Sequence, residues 1–251
     1  MQALAFLSMW IRPQLEKNEL EHSMPVDIES IFKATAQSSR SFLMTNGQGC
    51  YIPAYQRPYS WSVENVDRLF EDALHGLNLL KKNTISFLGT VIAIHDTKHA
   101  TVQPIYKAEM PSKVMTIIDG QQRISTFLMI NIAVHHLAST LLGKITKLEG
   151  AHKDWLFDQV ETLVADLVDT LMIDMKTGDK YYRYYPRLVR SYEDVWSKRK
   201  GQAKYNSPIC RLIWDYHTFL QADEKKPSST HPKIRMVTCL SNLVSRQTHL
   251  S

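Results

Sequence analysis

The residue pattern is that of an α+β protein: a small sheet with helices, followed by a mostly helical distal part that carries one β-hairpin. Three observations support this. Up to about residue 145, short apolar runs suited to buried strands alternate with amphipathic stretches in the order helix, strand, helix, strand, strand, helix. The run from Val114 to Ile118 stops at the turn-forming pair Asp119-Gly120, and a helical period takes over, with Ile124, Phe127, Leu128 and Ile132 on one face. From Gly150 the texture changes to longer helical patterns interrupted by a tyrosine-rich hairpin.

Taken in order, residues 1–24 form a weakly patterned extension that Pro13 interrupts. A first domain is expected over 25–145. It opens with a helix from Asp27 to Ala36, in which Ile28, Ile31 and Phe32 share a face and Asp27 is the N-cap. Cys50-Tyr51-Ile52 reads as a short strand closed by Pro53. Residues Val63, Val66, Leu69, Phe70, Ala73, Leu74 and Leu77 make the clearest amphipathic helix, capped by Ser62 and running to about Lys82. A strand over Phe87–Ile94 follows, with Gly89 marking a bulge or a close backbone approach. A polar insertion separates it from the Val114–Ile118 strand, its expected antiparallel neighbour. The helix after Arg123 should end at Gly143. In the distal part, 150–222, a helix through Trp155–Leu167 precedes a hairpin about Lys176-Thr177-Gly178-Asp179. Helices are expected over Arg190–Trp196 and Ser207–Leu220, and the polar tail, 223–251, reads as truncated or atypical.

The composition narrows the function classes. Three dispersed cysteines without a CxxC pair argue against a disulfide framework or a zinc site and suit a reducing cytosol. The apolar N-terminus lacks the basic start and cleavage site of a signal peptide, and no apolar run approaches the roughly 20 residues of a membrane span. A cytoplasmic protein without membrane contact is expected. His95, Asp96 and His99 make at best a weak metal cluster, and His135-His136 read as one packed and one exposed residue.

The chemistry concentrates at two places. At the first, Gly120 permits positive φ, and the N–H groups of Gln121, Gln122 and Arg123 lie at a helix start that favours an anion. Arg123 offers a bidentate phosphate contact, with Ser125 and Thr126 as secondary contacts. Asp119 repels a bare phosphate, so it either caps the helix, holds Mg²⁺ beside a polyphosphate, or orients an attacking water. The plain alternative is a capped helix start with solvated polar residues. The second place is Tyr55-Gln56-Arg57 with Tyr59 and Trp61, where an arginine for phosphate sits among rings able to stack on a base. Its alternative is a proline-rich turn packed by its own aromatics.

Three ordered blocks carry a resemblance: Ile52-Pro-Ala-Tyr-Gln-Arg-Pro-Tyr-Ser-Trp61, Phe87-Leu-Gly-Thr90 and Ile118-Asp-Gly-Gln-Gln-Arg-Ile-Ser-Thr126. Together with Tyr185–Arg190, Asp194–Trp196 and Tyr205–Ile209, they resemble the N-terminal domain of GmrSD-type restriction endonucleases over roughly residues 27 to 222. The resemblance implies a ParB/sulfiredoxin-like fold, nucleoside triphosphate binding and hydrolysis with Mg²⁺, and a role in defence against modified phage DNA. It implies that Asp119, Gly120, Gln121, Gln122 and Arg123 form the nucleotide-site block, with Tyr55, Gln56 and Arg57 as its companion. Such proteins continue into, or work beside, an HNH-type nuclease domain. No paired His-Asn-His arrangement follows Leu220, so either the chain is truncated, its tail is out of family, or the nuclease is a separate protein, and nuclease activity is not expected of this chain.

Between Lys176 and Arg211 ten basic residues face three acidic ones, a segment charge of +7 against +5 for the whole chain. Tyrosines and Trp196 are interleaved with them, a composition suited to DNA. Arg187, Arg190, Lys198, Arg199 and Lys200 are the expected DNA contacts. A solvated charged face over packing tyrosines is the alternative. A DNA-binding or docking module with a non-hydrolytic nucleotide site is therefore the second functional reading.

Overall fold

A computed structural model of the chain describes residues 35–79, 89–102, 110–177, 180–197 and 202–224. The expected helix at Asp27–Ala36 up to residue 34, the lysines closing the clearest amphipathic helix, the start of the Phe87 strand and the tail fall on residues outside these; Thr35 and Ala36 are described and are not helical. Residues 38–224, so far as described, belong to one compact unit.

The sheet has four strands in the order β2-β3-β1-β6. Strand β1 (Gln48–Ile52) is buried along its whole length because it has a neighbour on each side. It pairs in parallel with β3 (Lys113–Asp119) and with β6 (Leu188–Arg190). Strand β2 (Ile92–His95) lies antiparallel to β3, as the connecting insertion suggested, with a register shift between Ile92 and Ala93. Alternation across the pleat sorts the side chains into two cores. Cys50, Ile52, Ile117 and Leu188 join one, and Tyr51, Val114 and Val189 join the other.

Five helices are described: α1 (Ser39–Leu43), α2 (Val63–Leu79), α3 (Gln121–Ile145), α4 (Lys153–Leu171) and α5 (Pro208–Glu224). Helix α3 fills the first core with Ile124, Leu128 and Ile132, and α5 adds Ile209, Leu212, Ile213 and Tyr216. The proximal and distal parts therefore share one core, and β6 belongs to the proximal sheet. The boundary expected near residue 150 does not separate two cores. By length and composition α3 could cross a membrane. Here it is the helix against which sheet, α4 and α5 pack, and it buries Gln121, Gln122, Ser125, Thr126 and His135 with its apolar residues.

Two boundaries differ from expectation. Helix α3 passes Gly143 and ends at Ile145, which is fully buried with Ala138 and Val160. Burying that side chain outweighs the roughly 1 kcal/mol that a helical glycine costs. Residues 190–196 are not a helix but β6, a turn and β7 (Asp194–Val195), which pairs with β8 (Lys204–Tyr205). The cause is Asp194: its buried carboxylate accepts from the N–H of Arg190 at 2.7 Å and from the N–H and hydroxyl of Ser207 at 2.9 and 2.6 Å. A helix cannot supply that geometry. The hairpin of β4 (Met172–Thr177) and β5 (Lys180–Pro186) forms where expected.

Arg187 stands at the junction of these elements and is only 2% exposed. Its guanidinium donates to five carbonyl oxygens: Thr45, Gln48, Asp169, Thr170 and Met172. Its own N–H donates to Leu171. Asp169, Thr170 and Leu171 end α4, whose last turn contains no basic residue. Arg187 thus supplies from outside the donors and positive charge that a helix C-terminus lacks. Burial pushes its pKa down, with Asp169 and Asp174 partly restoring it. This corrects the expectation that Arg187 contacts DNA, because every arm of its guanidinium is already used inside the protein. Arg187→Met should cost on the order of 3–5 kcal/mol in urea unfolding and Arg187→Lys about half as much.

Helices α3 and α5 are also joined by His135 Nδ1 and the Tyr216 hydroxyl, which share a hydrogen bond, with the rings edge to face. Burial, and secondarily the charge of His136, holds the His135 pKa down at about 4, below its ordinary 6.5. The folded protein therefore keeps the ring neutral where the unfolded chain would protonate it. This stability is fully present above pH 6.5 and is lost as pH falls toward 4. Unfolding midpoints measured between pH 7.5 and 4.5 should fall with acidification, and less steeply in His135→Gln.

Candidate functional site

The site is built where the loop 53–62, between β1 and α2, meets the junction of β3 and α3. Gly120 is the N-cap of α3 at φ +90°, and no side chain caps the helix. A β-carbon there would stand 3.0–3.2 Å from Val91 and the Thr90 carbonyl, so conformation and space both require glycine. The first main-chain donor with an intrahelical partner is Ile124, whose N–H reaches Gly120. The N–H groups of Gln121, Gln122 and Arg123 precede it at the positive end of the helix.

The side-chain amides of each sequence block bind the main chain of the other. Gln56 Nε2 donates to the Ile118 carbonyl at 2.6 Å, and Gln121 Nε2 donates to that of Arg57 at 2.7 Å. Gln122 is used twice, donating to the Pro58 carbonyl at 3.0 Å and accepting from the Ser60 N–H at 2.9 Å. The Tyr59 and Thr126 hydroxyls are 2.8 Å apart, and Thr126 also donates to the Gln122 carbonyl. Burial pushes the Tyr59 phenol pKa up, against the pull of the Thr126 hydrogen bond. These contacts correct part of the expected site. The side chains of Gln56, Gln121, Gln122 and Thr126 hold the loop to the helix, and Ser125 is buried within the protein.

Asp119, Arg57 and Tyr55 are left facing outward, and Tyr55 is 71% exposed. Arg123 is half-buried. Its Nη1 donates to the Thr90 carbonyl at 2.7 Å, and its guanidinium lies so close to Gly89 (φ +106°) that a β-carbon there would come within 2.5 Å. The close approach expected of Gly89 is to this arginine. Arg190, expected on DNA, lies instead behind the loop. It donates to the carbonyls of Gln56 and Arg57 and pairs with Glu193 at 2.8 Å. Sequence reading missed this role because the signal, a lone arginine 133 residues downstream of Arg57, has no local pattern.

Lys198, Arg199 and Lys200 lie outside the described residues. Among the described basic residues of that segment, Lys204 and Arg211 are exposed. Asp96 binds the Thr101 hydroxyl and the N–H groups of Ala100 and Thr101. Burial opposes its ionisation, but these donors outweigh burial and lower its pKa. Among the described residues no group of three or more His, Cys, Asp or Glu side chains could hold a metal ion. A cleft of about 140 Å³ between α1, α3 and α4 lies away from the turn. Its polar groups are paired, Arg40 with Asp166 at 2.6 Å and Asn131 with Thr170 at 2.8 Å.

Fold and site together define an α+β domain in which a loop rich in aromatics and carrying Arg57 is locked onto a glycine-capped helix start. The family model for the GmrSD restriction endonuclease, N-terminal domain, matches residues 40–238, and the chain belongs to that family. It is accordingly a component of a restriction system. No curated protein matches the sequence.

Gln122→Ala removes both of its links to the loop and should cost about 1–3 kcal/mol, with faster hydrogen exchange at the Ser60 amide. Arg57→Ala, which removes only an exposed side chain, should leave stability within about 0.5 kcal/mol of wild type.

Proposed function

We propose that the chain binds a nucleoside triphosphate with Mg²⁺ at the start of α3, hydrolyses it, and so regulates DNA cleavage by an HNH-type nuclease domain or subunit. The observation that supports this most directly is what the loop clamp leaves over. Two arginines and one carboxylate remain around a helix start whose own N–H groups favour an anion. Arg57 and the free arm of Arg123 bind phosphate oxygens, while the N–H groups of residues 121–123 form the cradle. Gln56, Gln121 and Gln122 act by keeping Arg57 in place.

Asp119 is exposed, does not cap the helix and has no ion-pair partner among the described residues, so its carboxylate is available. A single carboxylate does not fit a metal cage built from protein alone. It fits Mg²⁺ brought by the triphosphate, an ion usually held by one or two carboxylates, phosphate and water. When bound, that ion would neutralise charge developing on the phosphates. Asp119 holds it or orients the attacking water.

DNA is the expected partner of the distal part, with Lys198, Arg199 and Lys200 as contacts. The second reading, a DNA-binding or docking module with a non-hydrolytic site, draws on the +7 charge of residues 176–211, of which the Arg187 and Arg190 guanidiniums are engaged within the protein.

Asp119→Ala should lower triphosphate hydrolysis by at least about 100-fold, measured as phosphate release. Arg57→Ala and Arg123→Ala should each weaken binding about tenfold or more in titration. Wild-type turnover by the Asp119 variant removes its assigned role. Nucleotide binding without turnover in the wild type favours the non-hydrolytic reading.

A further inference from the structure

The turn between β6 and β7, which is hydrogen-bonded to the end of β1 and to loop 53–62, carries a strained aromatic residue. Tyr192 has φ +63°, and among the described residues only His99 shares a positive φ without being glycine. A left-handed backbone is unfavourable for a bulky side chain and would ordinarily be filled by glycine or asparagine. The ring gains nothing from burial to compensate, since Tyr192 is 70% exposed. Strain of this kind persists only where the surroundings impose it.

Those surroundings are on both flanks of the turn. The Arg190 N–H is held by Asp194 at 2.7 Å, the Ser191 N–H donates to the Ile52 carbonyl at 2.9 Å, and Asp194 is fixed in turn by Ser207. The side chain of Arg190, 13% exposed, ties the same turn to the loop through the Gln56 and Arg57 carbonyls. The Arg57 carbonyl accepts from both Arg190 and Gln121, so one shared acceptor joins the Tyr192 turn to the start of α3. Tyr55 is exposed on the loop that this joint secures.

We propose that Tyr192 is a base-stacking residue of the site, its ring taking the nucleobase of a nucleoside triphosphate whose phosphates lie at the start of α3. This rests on the triphosphate reading above and adds a residue outside the two motif blocks. Arg190 is the positioning residue that carries the ring to the site. Stacking of a base on an aromatic ring corresponds to about 5- to 150-fold in affinity.

The test is calorimetric titration of the full chain with Mg·ATP, Mg·GTP and Mg·tripolyphosphate, for wild type, Tyr192→Phe and Tyr192→Asn. Asparagine accepts the left-handed backbone, so an undiminished melting temperature marks an intact fold. The Asn variant should bind the preferred nucleoside triphosphate at least about fivefold more weakly. It should bind tripolyphosphate as wild type does, and the Phe variant should retain wild-type affinity. Equal nucleotide affinity in wild type and the Asn variant overturns the stacking role while leaving the triphosphate site standing. A parallel loss of tripolyphosphate binding, or weakened binding of a single-stranded oligonucleotide with nucleotide binding untouched, also overturns it. If the wild type binds no triphosphate, both the site reading and the stacking role fall.

Discussion

Five backbone carbonyls from two separate stretches of chain converge on the guanidinium of Arg187, and the fold depends on that convergence. The carbonyls end α4, precede and begin β1, and begin β4. Without Arg187 these carbonyls would lose a donor inside the protein, although that of Thr45 would keep the N–H of Gln48, and protein interiors largely avoid such losses. Guanidinium suits the position because its donors radiate in one plane, whereas an ammonium concentrates its charge at a point. The same contact explains why β6 lies beside β1: the Arg187 carbonyl accepts from the N–H of Cys50, the residue that pairs with Leu188. Burial beside this charge leaves the Cys50 thiol with a pKa pushed up to about 11, consistent with a packing role.

A second layer of backbone satisfaction shapes the site. The loop 53–62 contains two prolines after Ile52 and no regular structure, so its carbonyls need donors from elsewhere. Gln121, Gln122 and Arg190 provide them, while Gln56 ties the loop in the other direction by donating to the Ile118 carbonyl. Amides are suited to the task because each carries a donor and an acceptor, and Gln122 uses both. The outcome is a division of labour within Asp119–Arg123. Its amides fasten the loop, and its charged groups remain at or near the surface.

The distal part is structurally inseparable from that site. Asp194 anchors the turn that carries Arg190 and Tyr192, and Ser207, just before α5, anchors Asp194. Helix α5 in turn packs on α3 in the first core and through His135–Tyr216. The loop carrying Arg57 is thus held from both sides, by the start of α3 and by the β6–β7 turn. A change in the packing of α5 has a direct mechanical route to the loop.

Local pattern was enough to read the α+β class, the turn at Asp119-Gly120, the hairpin, the antiparallel pair β2–β3 and the special need for glycine at 89 and 120. Each is encoded by neighbours in sequence: a period of two or 3.6, a breaker, or a residue without a β-carbon. The family resemblance was legible for the same reason, since its blocks are contiguous. Tertiary structure alone decided which polar residues of those blocks are free. Gln121 and Arg123 look equally available in the sequence, but a side chain 64 residues away in sequence terms meets its partner only after folding. It likewise decided that 190–196 is a turn between strands, because Asp194 finds Ser207, and that Arg187 is internal, because five carbonyls arrive from distant segments. At the opening of α3, pattern placed the glycine and the helix start. Long-range hydrogen bonding left Asp119 and Arg57 exposed and Arg123 only partly engaged, since a buried amide that finds a carbonyl stays with it.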